Sequence, residues 1–321
     1  MARLKVVEGT AMMFGFYRRV ARTRLLDVGL ASAMAAYALR AVVGGYMVPV
    51  AVSSVAAFVA TRSQASLRYA VILLLAGAAI YAGTEWLFRP FWDGIAEAIV
   101  EAKARVLSAA RRGGLPVDLV GGLANDVDFI MWNFGSFYNT LAPNLLGYAV
   151  SVATIYSFSP ALAAANLAFL LPSLAVIEAY MRRVEGVREE ERRQYGAVIY
   201  YSNKALVDGA DASPLLSALR RWRGAIGGNI LLDRVYWSTG LAIMMAAPAA
   251  TVLAAAQMGL ATSSLVGAAY ASLNAYSSLV NGLWGLALIG QNRPAIRRVE
   301  ALASAAAAGP EEGVIRLGPA R

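Results

Sequence analysis

The polar and apolar positions of this chain fall in blocks. From Phe129 to Phe158 no charged residue occurs; the polar run Asn125-Asp126-Val127-Asp128 precedes it and Ser159-Pro160 follows. An uncharged run of this length is long enough to cross a bilayer, and a tight turn after it predicts a helical hairpin inserted in a membrane. Similar blocks run from about Val28 to Ala60 (interrupted by Arg40), Tyr69 to Trp92, Pro160 to Tyr180, Ile226 to Met258 and Leu265 to Ile289. The expected fold is therefore all-α: a polytopic membrane protein with six transmembrane helices. The ten-residue alternation of an outer-membrane barrel is absent.

Between the blocks lie charged, helix-like stretches. Gly94 to Arg112 carries Glu97, Glu101, Lys103 and Arg105, and Gly113-Gly114-Leu115-Pro116 breaks it. Arg182 to Arg193 leads on through Tyr200-Tyr201 to Arg220-Arg221-Trp222-Arg223. The loops expected outside are short, and only Arg62 and Arg68 charge them. Basic residues thus gather on one side, which predicts long cytoplasmic helical extensions and both termini in the cytoplasm of a plasma-membrane protein. Residues 1–27 mix arginines with Met12, Met13, Phe14, Phe16 and Tyr17, the make-up of an elbow-like interfacial helix. They do not read as a signal peptide. Residues 28–300 form the six-span domain and 301–321 a short tail.

Composition supports this class. Of 321 residues 59% are hydrophobic and 15% charged, against about 25% charged in soluble domains. The net charge of +9 fits basic cytoplasmic loops and membrane lipids as neighbours better than nucleic acid. Cysteine and histidine are absent, which excludes disulfides and thiol catalysis and leaves no common transition-metal ligand set.

Several residues are candidates for function. Arg40, inside the first block, either faces a cavity that favours anionic or amphipathic cargo, pairs with a neighbouring helix, or snorkels. Glu85, Arg89 and Asp93 are four apart and form an ion-pair ladder; the competing use is a proton site at Glu85. Asn133, Ser136, Thr140, Asn144, Gly147, Ser151 and Thr154 share one face of the third span. Gly267, Tyr270, Asn274, Ser278, Asn281 and Gly285 form a matching stripe in the sixth. Such faces line a hydrated path or pack helix on helix; as a path wall, they suit amphipathic cargo.

Five segments together resemble the transmembrane domain of an ABC exporter. Gly122-Leu123-Ala124-Asn125-Asp126-Val127-Asp128 is similar to the signature before that family's third span, and Phe158-Ser159-Pro160-Ala161-Leu162-Ala163 to the turn into its fourth. Leu206-Val207-Asp208-Gly209-Ala210-Asp211 resembles its second coupling helix, Gly259-Leu260-Ala261-Thr262 its sixth-span entry, and Arg297-Arg298-Val299-Glu300-Ala301-Leu302 its closing segment. The segment from Leu115-Pro116 to Asn125 is shorter than the family's, and Asp208 stands near its usual Glu.

The resemblance implies a permease subunit moving an amphipathic or hydrophobic substrate. It also implies a second copy or a homologous six-span partner, and a separate ATPase subunit. Pro116, Asp118, Val207, Asp208, Gly209 and Asp211 are then the ATPase-coupling positions. No G-x-x-x-x-G-K-[ST] phosphate loop occurs, so the chain is not expected to be an enzyme, and ATP and Mg belong on the partner. The alternatives are an ATPase-free, proton-coupled transporter of similar fold, or a channel or scaffold subunit of a secretion or nucleic-acid transfer assembly.

Overall fold

The computed structural model describes residues 5–112, 117–209 and 211–307, and among them it is helical with no strand. Ten helices follow in order: α1 (Lys5–Phe16), α2 (Arg24–Val42), α3 (Val48–Thr61), α4 (Gln64–Glu85), α5 (Arg89–Arg112), α6 (Val117–Phe158), α7 (Pro160–Leu167), α8 (Leu170–Val207), α9 (Ser213–Gln257) and α10 (Thr262–Ala307). A π-helical turn, Val43–Met47, joins α2 to α3, and a 3₁₀ turn, Trp86–Phe88, joins α4 to α5. Each pair therefore runs as one nearly continuous rod.

Local chemistry sets the ends. The Thr23 hydroxyl caps α2 by accepting from the Leu26 N–H at 3.1 Å. Ser159 does the same for α7, with Pro160 in the first turn, where a missing N–H costs nothing. Gly209 after α8 and Gly259 after α9 take left-handed φ angles of 66° and 65°. Arg62 closes α3 in the same region without glycine's freedom, its N–H donating to the Phe58 carbonyl at 2.7 Å.

Among the described residues, five segments are long and apolar enough to cross a membrane: Arg24–Thr61, Gln64–Ser108, Asn125–Phe158, Pro160–Leu206 and Ser213–Gln257. The sixth predicted span lies in α10, which is 46 residues long but not among the five. Its Asn and Ser residues lower its hydropathy. Helix α10 packs on α3, α6, α8 and α9, and Ala268, Ala271, Ser272, Ala275, Tyr276 and Leu279 are buried. A helix enclosed by protein meets little lipid and can carry Asn and Ser on its faces.

The N-terminal helix is also tied to the rest of the protein. Helix α1 and the π turn after it, Tyr17–Ala21, are packed into the protein as well as amphipathic: Met13, Phe16, Tyr17, Val20 and Ala21 are buried. Tyr17 stacks on Phe134 with ring centroids 5.3 Å apart. Burial, and then the Asp27 carboxylate that accepts its hydroxyl, push the Tyr17 pKa up.

Helices α2 and α5 cross with their backbones almost touching. A Cβ on Gly29 would lie 2.5 Å from the Pro90 carbonyl oxygen, and one on Gly94 would lie 2.6 Å from the Leu26 Cα. Neither neighbour is a flexible side chain, so any larger residue must push the rods apart. Gly83 and Gly224, in contrast, have open space around them. Gly94→Ala is expected to destabilise the protein by about 1–3 kcal/mol. Gly83→Ala or Gly224→Ala should raise stability by up to about 1 kcal/mol through helix propensity. Thermal midpoints in one detergent check both signs.

Candidate functional site

The two predicted polar stripes face each other. Helices α6 and α10 share the most extensive interface in the fold, and it runs antiparallel in constant register. Asn133 donates to Asn292 at 2.8 Å. A Cβ on Gly285 would be 3.4 Å from Thr140 Cβ, one on Gly282 would be 2.9 Å from Asn144 Cβ, and one on Gly147 would be 2.9 Å from Ser278 Oγ. Asn274 donates to Ser151 at 2.7 Å, and Gly267 abuts Phe158 and Ser53. At these six points, each step along α6 is matched by an equal step back along α10. Small residues admit the partner helix, and hydroxyls and amides pair across it.

The seam has one open edge. Ser136, Thr140, Asn144, Ser278 and Asn281 are half-buried, and Tyr270 is exposed. Asn144 and Asn281 donate to the carbonyls four residues back, Thr140 and Ser277, at 2.7 and 2.8 Å. At the π turn, Gly45 admits Val150 and Ser151 of α6, while the Asn274 amide and the Tyr81 hydroxyl both lie 3.9 Å from where a Gly44 Cβ would stand. The turn thus brings α4, α6 and α10 to one polar corner. π turns recur at functional sites because they break the helical ladder locally.

Arg40 stands one turn below this corner and is fully engaged. Its Nε donates to Thr84 Oγ1 at 2.8 Å, a terminal nitrogen pairs with Glu85, and its guanidinium lies 4.6 Å from the Phe88 ring centroid and 5.1 Å from that of Tyr81. Of the three readings, pairing with a neighbouring helix is the one the geometry supports. Helix α4 has 22 residues and ends at Glu85, so the pair lies about 33 Å from the α3–α4 turn, one hydrocarbon thickness away. Trp86 next to it is 76% exposed, as an interfacial anchor would be.

The ladder Glu85-Arg89-Asp93 is therefore only half formed. Arg89 pairs with Asp93 at 3.6 Å. Glu85 turns to Arg40 instead, because the 3₁₀ turn between it and Arg89 shifts the register that four-residue spacing assumes.

A second polar cluster was missed from the sequence. Asn166 in α7 donates to Thr251 Oγ1 at 2.9 Å and to Ser272 Oγ at 2.7 Å, and its carbonyl accepts from Tyr276. All four are buried, so this network fastens α7, α9 and α10 at one point. Asn166 was visible as the sole amide between Ser159 and Tyr180; its partners, far along the chain, were not.

Of the coupling positions, Pro116 lies outside the described residues, and at Asp118 and Val207 only the helical backbone is described. Asp208, Gly209 and Asp211 form the exposed turn between α8 and α9. Asp211 accepts from the Ser213 hydroxyl and N–H, which hold its carboxyl below the usual range. Inward from the turn, the helices are tied by ion pairs: Lys103–Asp128 at 2.7 Å, Arg298–Asp126 at 2.7 Å and Arg293–Glu185 at 3.2 Å.

No protein family matches this chain, and no curated protein is detectably similar to it.

The Arg40 site yields an asymmetric prediction. Glu85 is the exposed partner, at 69% of its side chain against 22% for Arg40. Glu85→Gln should cost less than about 1 kcal/mol. Arg40→Ala should cost about 2 kcal/mol, because ring and hydroxyl contacts go with the charge. Unfolding of the two variants in detergent measures the difference.

Proposed function

We propose that the chain is the membrane-spanning subunit of an exporter of the ABC type. It carries amphipathic or hydrophobic cargo, and a separate ATPase holding ATP and Mg powers it. The observation that carries this reading is the length and polarity of the helices. Helices α6, α8, α9 and α10 have 42, 38, 45 and 46 residues, so each exceeds the roughly 20 residues that a span needs by about as much again. The excess lies at one end, where the lateral ion pairs collect and where the α8–α9 turn stands exposed. A pair of stiff rods ending in such a turn transmits a push from a docked partner into the bilayer.

Six spans follow when α10 is counted as the interior helix of the bundle. The cytoplasm then lies at the charged end, in a plasma membrane. Polar groups on the open edge of the α6–α10 seam are costly against lipid, so a second copy or a homologous subunit covers that edge, and the space between the two copies is the substrate path. Arg40, Tyr270, Asn274 and Ser278 stand beside it. The resemblance in motif order points the same way. A proton-coupled carrier is less well supported, because its one candidate carboxylate, Glu85, is exposed and held by Arg40.

Purified in mild detergent from its own cells, the chain is expected to bring down a phosphate-loop ATPase. Asp208→Arg combined with Asp211→Arg should lower that yield and ATP-driven efflux at least about tenfold, the scale of a 1.4 kcal/mol loss, with helix content unchanged. Efflux that survives ATP depletion and the doubled charge reversal would contradict the reading.

A further inference from the structure

At the charged end, apart from the seam, α6, α8 and α9 border a cleft of about 360 Å³ lined by Phe129, Arg188, Glu191, Arg192, Tyr195 and Trp222. Helix α9 is 45 residues long, and Trp222 sits in its third turn from the α8–α9 end. A single span accounts for roughly 20 residues, so the cleft lies outside the hydrocarbon core and lipid chains do not fill it. Its charges are matched from within. Glu191 accepts from Arg188 at 3.1 Å and from Asn229. Arg188 also lies 3.9 Å from Asp233. Arg192 lies over the Phe129 ring, 5.4 Å from its centroid, in the field of Asp126, which also pairs with Arg298. With no surplus of either sign, a charged ligand would lose its hydration here and find no free counter-charge.

Two features of the cleft remain open. Phe129 and Tyr195 are exposed, and Tyr195 packs on Trp222 with ring centroids 5.1 Å apart. Aromatic surface therefore lines the cleft on the α6 side and on the α8–α9 side. The Trp222 Nε1 and the Arg188 Nε, both donors, are buried with no acceptor among the described residues. Buried donors in native proteins are normally satisfied, and leaving them unpaired is costly. Aromatic walls with a few unpaired polar groups, around a volume of a few hundred Å³, are the make-up of a small-molecule site.

We propose that this cleft binds an uncharged, planar aromatic compound that bears a carbonyl oxygen. The ring system stacks on the aromatic walls, where offset and edge-on contacts add to the apolar area buried. The carbonyl accepts from the Trp222 indole N–H, which meets the need of the unpaired donor without bringing in a charge. A neutral acceptor suits the site because the carboxylates already present are engaged with arginines. The inference does not rest on the transport reading.

The test uses the full chain in nanodiscs, with acridone as the probe and empty nanodiscs as the blank. Equilibrium dialysis should show saturable binding above the blank. In protein labelled with nitrogen-15 tryptophan, the Trp222 indole N–H is the peak missing from Trp222→Phe. It should be the one of six indole peaks that shifts when acridone is added. Trp222→Phe, which keeps a ring and removes the donor, should weaken binding about two- to tenfold, the scale of one neutral hydrogen bond. Tyr195→Ala should weaken it about tenfold through lost stacking. Trp86→Phe, the same change at a distant exposed site, should leave it unchanged. An acridone carboxylate, the same ring with a negative charge, should bind at least about tenfold more weakly. Binding no greater than the blank with the Trp222 peak unmoved would overturn the proposal, since the donor then serves water alone. So would an affinity unchanged by both cleft variants at unchanged helix content, or a carboxylate that binds as tightly as acridone.

Discussion

The antiparallel register of α6 against α10 is the constraint on which the other contacts depend. Without apolar driving force between helices inside lipid, close approach must come from small residues and paired polar groups. Gly147 against Ser278, Gly282 against Asn144 and Ser151 against Asn274 supply both along one line. With α10 held there, α8 and α9 have a surface to pack on: Tyr180, Tyr236 and Trp284 meet with ring centroids 5.1 to 5.7 Å apart. The Asn166 network then ties α7 and α9 to the same helix, and the π turn of the first rod seats against α6 through Gly45.

This arrangement has a functional consequence. Seam residues that read as a path wall spend most of their polar groups on each other or on their own helix. What is left is the open edge, with Tyr270, Asn274 and the corner formed by Gly44 and Tyr81, and it is there that the proposed cargo would pass. Arg40, one turn away along α2, is held by two rings, a hydroxyl and Glu85, so its charge is fixed in place. On the proposed coupling, motion passed up from the α8–α9 turn would have to move α8 and α9 over α10, since α6 and α10 are held as a pair.

Much of the fold was legible in the sequence. Hydropathy placed the rods and Ser159-Pro160 placed a turn, and the charged stretches fall within helices α5, α8 and α9. The matched spacing of the two stripes implied that they share a purpose but not that they touch, because antiparallel register is decided by tertiary packing. Arg40 could not be matched to Glu85 from spacing alone, since the 3₁₀ turn that frees Glu85 from Arg89 leaves no clear mark in Trp86-Leu87-Phe88. The backbone contact of Gly29 with Pro90 was equally hidden: a glycine in an apolar run looks the same whether it meets lipid or another helix.

The most direct measurement exploits the absence of cysteine from the chain. A Cβ on Gly147 would lie 3.5 Å from Ser278 Cβ, inside the roughly 3.5–4.5 Å range that a disulfide requires. Gly147→Cys combined with Ser278→Cys, oxidised mildly in native membranes, should close to a single disulfide within the chain. Two thiols that stay free in a folded, membrane-inserted protein would contradict a seam in this register, and with it the packing built upon it.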